Sequence, residues 1–189
     1  MKLAATRMLF SYWDGLRGER AAPERGEIEP GEIRHILADT FILEMGDAGA
    51  EFRLAGTRLC ALVGGELRGR RLSDLWGPAA READRFVDIV SGETAGIVAG
   101  VQGVTAQEET VDLEMLLLPL RHRGKTHARL LGCLSTGALP LWLGLHPVTR
   151  LTTVSLRVIW PSGRAAAMPA ARPGPDARRL FVVHRGGRT

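Results

Sequence analysis

The chain has 189 residues, 45% of them hydrophobic, and a net charge of +4, which is the size of one domain with an appendage and enough apolar content for an ordinary core. Its strongest apolar runs, MLLLPL (115–120) and LPLWLGL (139–145), fall far short of the roughly 20 residues that span a bilayer, and MKLAATRMLFSYWD lacks a continuous apolar stretch before a cleavage site, so a cytoplasmic location and no membrane partner are expected. Only Lys2 and Lys125 of the 25 basic residues are lysine, 21 acids are interleaved with them, and the surplus gathers in the last forty residues, so nucleic acid is not expected as a partner, and a rival reading binds RNA through that Arg-rich tail.

In chain order, TRMLFSYWDGLRGER places Leu9, Phe10, Trp13 and Leu16 at helical spacing, which predicts an amphipathic helix that must bury its stripe. After a loop, Pro30 opens a short helix GEIRHILAD with Ile33, Ile36 and Leu37 inward. Two strands follow, TFILEM (40–45) and AEFRLAG (50–56), joined by the turn GDAG. In FRLAGTRLCALVGGELRGRRL, Thr57 is read as the cap of a helix whose Leu59, Cys60 and Val63 turn inward. The glycines beyond it supply left-handed turns. The segment WGPAAREADRFVDIVSGE reads as a helix with Phe86, Ile89 and Val90 as its buried face and Gly92 as its end.

Three strands then come at close range: TAGIVAGVQGVTAQ (94–107), TVDLEMLLLPLRH (110–122) and THARLLGCLSTG (126–137). Helices inserted between the second and third of five strands imply an α+β architecture, an antiparallel sheet covered on one face by those helices. EMLLLPL is apolar at consecutive positions, so its strand is expected to be covered on both faces, with the first helix behind it. The reading ends the domain at residue 145 and assigns 146–189 to a C-terminal extension: an alternating strand TRLTTVSLRVIW with Val154, Leu156, Val158 and Trp160 on one side, a Pro/Ala/Arg-rich link (161–179) and a short terminal strand LFVV (180–183).

The stretches LFSYWDGLRGERAAPERGEIEPGEIRHILADTFILE, FRLAGTRLCALVGGELRGRRLSDLW and LLLPLRHRG, with the closing RRLFVVHRGGR, resemble the single-domain PAS proteins of bacteria, of the alphaproteobacterial type. The resemblance implies a PAS fold: a five-stranded antiparallel sheet in the order 2-1-5-4-3, short helices on one face and an N-terminal helix on the other. It implies a regulatory module that senses or binds proteins, without catalysis of its own and without naming a ligand; with no output motif in the chain a signalling protein in trans is expected, the apolar lining would suit a small apolar ligand, and the N-terminal stripe either closes its own sheet or pairs in a homodimer. The cavity such folds place between sheet and helices would be lined by Leu54, Cys60, Phe86, Ile89, Val90 and Met115. Leu9, Phe10, Trp13 and Leu16 would serve the interface.

No cofactor is expected. The Gly-rich stretch 64–69 lacks the Lys and hydroxyl of a phosphate loop. GTRLCALVGG is similar to the cysteine helix of flavin-binding light sensors, yet the chain holds no asparagine and only Gln102 and Gln107 to meet a flavin's polar edge. The helix before the third strand has no His for haem, and His35, His122, His127, His146 and His184 are scattered without an i, i+4 pair, so no metal is expected. A rival reading makes the chain a small enzyme that uses Glu114 in an apolar pocket as a general acid. A raised carboxyl pKa with substrate turnover would support that role, and Glu114 facing solvent would remove it.

Overall fold

The computed structural model describes residues 1–93, 95–122 and 125–160. Helix α1 (Ala4–Arg17) leads through turns to the hairpin β1 (Thr40–Gly46) and β2 (Gly49–Ala55). Helix α2 (Thr57–Val63), a 3-10 segment Leu72–Ala79 and helix α3 (Ala80–Glu93) follow, and then β3 (Gly96–Thr105), β4 (Thr110–His122), β5 (Lys125–Thr136) and β6 (Val148–Ile159). All six strands form one antiparallel sheet in the order β2-β1-β5-β4-β3-β6. The expected order 2-1-5-4-3 is present, with a sixth strand beside β3. The reading that closed the domain at 145 meets a sheet that continues to Ile159, and the link and terminal strand expected at 161–189 lie outside the described residues.

The α+β layering follows from the apolar pattern. Val111, Leu113, Met115 and Leu117 of β4 face α2 and α3 in one core, with Phe41, Leu43, Phe52, Ile97, Leu130 and Leu134 beside them. Leu116, Leu118 and Leu120 face the other way and share a second core with Leu9, Trp13, Ile42, Val98, Leu131 and Cys133. A consecutive apolar run is what a strand buried on both faces requires, and MLLLPL is that strand. The other apolar run behaves differently. In LPLWLGL, Leu141 is fully exposed and Leu145 is 75% exposed, while only Trp142 and Leu143 pack partly on the helix-side core.

Pro119 sits in a central strand, where a residue without an N–H is ordinarily excluded. It is accommodated because β3 pairs with β4 only as far as Leu117. Beyond that point the edge of β4 is covered by the segment after α1: Arg121 N donates to Pro23 O at 2.9 Å, and Glu24 bridges Arg121.

Several local expectations shift. Residues 30–39 form successive i→i−3 turns, Ile33 N to Pro30 O at 3.2 Å and Ile36 N to Ile33 O at 2.9 Å, rather than a short α-helix. Too few residues and two β-branched ones leave nothing to propagate a helix. Ile33 and Ile36 are buried as expected, but Leu37 is not. Gly56, not Thr57, is the N-cap of α2, and α3 continues through Gly92 to Glu93. The buried stripe of α3 is Ala83, Phe86, Val87 and Val90, with Ile89 only partly buried.

Gly132 on β5 lies directly opposite Phe41 on β1, and a Cβ there would stand 2.1 Å from the Phe41 ring. The ring occupies the space a side chain would take. Gly132→Ala is therefore expected to destabilise the fold by about 2 kcal/mol, as overpacking of a closed core does, measurable as a lower urea midpoint at unchanged slope.

Candidate functional site

The face beneath α2 and α3 is where a ligand cavity was expected. Phe86, Val90 and Met115 are buried there in one continuous cluster, and Cys60 and Ile89 pack partly against it. The cluster is knit by aromatic pairs, Phe41 with Phe52 at 5.4 Å and Trp76 with Phe86 at 5.9 Å, both edge to face. Leu54 does not join them. The β1–β2 register pairs Leu43 with Phe52 but Ile42 with Leu54, so Arg53 is a bulged residue. That single insertion turns Leu54 to the same side as Ile42, away from Phe52, where it is 50% exposed.

Trp76, which strict sequence spacing does not single out, is buried in this layer. Its Nε1 donates to Thr153 Oγ1 at 3.0 Å, tying the 3-10 segment to β6. At the opposite edge of the sheet Phe52 N donates to Arg70 O at 2.9 Å and Gly69 N to Phe52 O at 2.8 Å. The segment between α2 and α3 thus bridges both edges.

The more informative arrangement is behind the sheet. α1 has no side-chain cap of its own: its N-cap residue is Leu3, and its first turn holds no acid. The missing acceptor comes from the middle of β4. Glu114, 7% exposed, accepts from Lys2 N at 2.8 Å, Leu3 N at 3.0 Å and the Thr6 hydroxyl. A carboxylate at a helix start satisfies free N–H groups and the helix dipole together. Burial pushes the Glu114 carboxyl up, but the Thr6 hydroxyl and the Leu3 and Lys2 amides outweigh it and hold the group below the usual range. A general acid is served by the opposite direction, so this direction lends Glu114 no support in that role, although the residue is buried and does not face solvent.

Further along α1, Leu9 and Trp13 are fully buried against the sheet. Trp13 Nε1 donates to Pro119 O at 2.8 Å, the carbonyl left free where β4 outruns β3. Arg17 closes the helix, its guanidinium 5.5 Å from the Trp13 ring and bonded to Asp14, Gly18 O and Arg20 O. Of the four residues expected at an interface, Leu9 and Trp13 are therefore spent within the chain. Phe10 and Leu16 are half-buried, and Met8, which the spacing did not select, is 45% exposed.

Burial pushes the Cys133 thiol far up, beyond the reach of a nucleophile. Cys60 lies 3.9 Å from Glu66 Oε1, and His146 Nδ1 pairs with Glu109 at 2.5 Å. Among the described residues, no three His, Cys, Asp or Glu side chains are placed to hold a metal.

Residues 1–135 match the family model of the PAS domain. Solved structures similar to the chain include the light-oxygen-voltage protein of Rhodobacter sphaeroides, 16% identical over 61% of this chain and 73% of that one, with a TM-score of 0.42. A PAS domain of a protein from Colwellia psychrerythraea is 13% identical over 57% and 97% of the two chains, TM-score 0.42. A light-oxygen-voltage domain studied with a flavin analogue is 14% identical over 57% and 83%, TM-score 0.47. No curated protein matches the sequence.

Proposed function

We propose that this chain, which belongs to the PAS domain family, is a regulatory module that signals in trans, with α1 as the element that moves. The single observation that supports this reading is the clamp between α1 and β4. Glu114 holds the start of the helix and Pro119 O its middle, so both attachment points lie on the strand whose opposite face carries Met115 and Leu117 beneath α3. A change of packing on one face of β4 is felt at α1 on the other. Such a device is two-state because a packed interface is either seated or not.

In this reading a signalling protein, or a second copy of the chain, docks on the outer side of α1 at Met8, Phe10 and Leu16 and biases that equilibrium. The input is either such docking or a small apolar ligand that rearranges the Phe86, Val90 and Met115 layer. The cytoplasm is its place of action, and among the described residues no helix is long and apolar enough to cross a membrane.

The reading requires α1 to open without the sheet. Native-state hydrogen exchange should find the amides of residues 8–17 opening about 30-fold more often than those of residues 113–118, a gap of about 2 kcal/mol. Equal protection across both segments means that helix and sheet open as one unit, and the switch is then lost.

A further inference from the structure

β6 creates a pocket that a five-stranded sheet would not have. It is a cavity of about 240 Å³ between the end of α2, the 3-10 segment and the start of β6, lined by Val63, Arg70, Leu75, Val148, Thr149 and Leu151, with Pro147 at its rim. Its floor is apolar and set, since Leu75, Val148 and Leu151 are all buried. Its rim is fixed by a close approach: Gly64 caps α2 with φ of 71°, and a Cβ there would lie 2.5 Å from Pro147 Cγ, so α2 and β6 meet where only glycine fits.

Arg70 is the one charged residue in this lining. Its backbone is held at both ends, its N donating to Leu67 O at 2.9 Å and its O accepting from Phe52 N. Its guanidinium makes no hydrogen bond or ion pair with any described residue. The acids that flank the pocket in sequence are already engaged: Glu66 with the Leu67 and Arg68 amides, Asp74 with Arg71, Glu108 with Arg150 and Glu109 with His146. Thr149 donates its hydroxyl to Val104 O at 3.0 Å, which leaves its oxygen free to accept.

From this geometry we infer a binding site for a small amphipathic carboxylate, its apolar body on Val63, Leu75, Val148 and Leu151 and its carboxylate on the Arg70 guanidinium. The chemistry follows from the parts. A concavity with an apolar floor and one charged residue, the exposed Arg70, in its lining selects a partly apolar ligand of opposite charge, and a guanidinium fork matches a carboxylate in plane. The volume equals about eight waters of liquid, so the body is one ring or a short alkyl chain. Its floor residues Leu75, Val148 and Leu151 form the β6 side of the cluster that also holds Phe86, Val90 and Met115, and the assignment does not depend on the movement of α1.

The test is a ¹H–¹⁵N correlation titration of the full chain with benzoate, hexanoate and, as the neutral comparison, benzyl alcohol. The carboxylates should bind with a dissociation constant on the order of 1 mM, as befits ligands of this size. Shifted amides should be confined to Val63–Gly65, Arg70 and Val148–Leu151. Arg70→Gln, a surface change that leaves the rest of the spectrum in place, should weaken both carboxylates about fivefold and leave benzyl alcohol unchanged. Equal affinity in the variant, shifts centred elsewhere, or no saturable binding by either carboxylate overturns the assignment.

Discussion

Trp13→Ala should lower the stability of the protein by about 4 kcal/mol, the range for deleting a fully buried tryptophan, and its melting temperature by about 10 °C. The side chain is 1% exposed, packs against Leu9, Leu116 and Leu118 in the rear core, donates to Pro119 O and lies against Arg17 and Phe10. Its removal opens a cavity, orphans a carbonyl and takes away the surface on which Arg17 rests. The global loss is bounded by the free energy with which α1 docks, because the helix leaves the sheet once that is exhausted. Trp13→Phe keeps most of the ring volume but not the N–H, so it should cost about 1–2 kcal/mol, the value of an unpaired buried acceptor together with a smaller side chain. Equilibrium urea unfolding of the two variants separates packing from the hydrogen bond. A Trp13→Ala protein within 1 kcal/mol of the wild type would mean that α1 is not seated on β4 in solution.

Glu114→Ala should cost about 3 kcal/mol, because it strips the cap from α1 and leaves the Thr6 hydroxyl and two amides facing an apolar wall. The pH dependence has a definite sign. Glu114 is held below its ordinary value in the folded protein, so its contribution is complete above the unfolded carboxylate pKa of about 4.3. It fades as the pH falls through the lower folded value. The gap between wild type and Glu114→Ala should therefore be constant from pH 7 to about 5 and close below about pH 4. A gap that widened on acidification would show that the carboxyl is protonated in the native state and donates instead of accepting.

The order of the central strands and the two-sided burial of β4 were legible because they depend on apolar periodicity, which sequence carries directly. Both misplaced strand residues share one cause. Leu54 follows bulged Arg53, and Val154 is itself the extra residue where Gly100 pairs with Ser155 but Val101 with Thr153. Val154 was assigned by alternation and Leu54 by the cavity that the resemblance implies, and one inserted residue reverses the side on which its neighbours fall. Val154 is accordingly 57% exposed, although the alternation placed it with buried Leu156. The membership of 148–159 in the sheet was hidden for another reason: a half-polar alternating strand suits an edge anywhere, and nothing local names its partner.

Glu114 was visible but misinterpreted. A lone acid in LEMLLLPL, at the same parity as Leu116, Leu118 and Leu120, faces whatever those leucines face. They face a helix whose N-cap is Leu3 rather than Ser, Thr, Asp or Asn. Taken together, an uncapped helix start and an unpaired acid on the surface it must cover foretell a cap supplied across the fold. The pocket beside Arg70 had no comparable signal, since it arises from Gly64 meeting Pro147, residues brought together only by the completed sheet.

The bonds that seat α1 join residues far apart in the chain, 112 positions between Lys2 and Glu114 and 106 between Trp13 and Pro119. Long loops close slowly and late. On the ribosome α1 therefore emerges with its landing strand β4 still unmade, and its tryptophan face waits for more than a hundred further residues to be translated. Until β4 has followed it, the apolar stripe of α1 is open to whichever chaperone or partner is at hand.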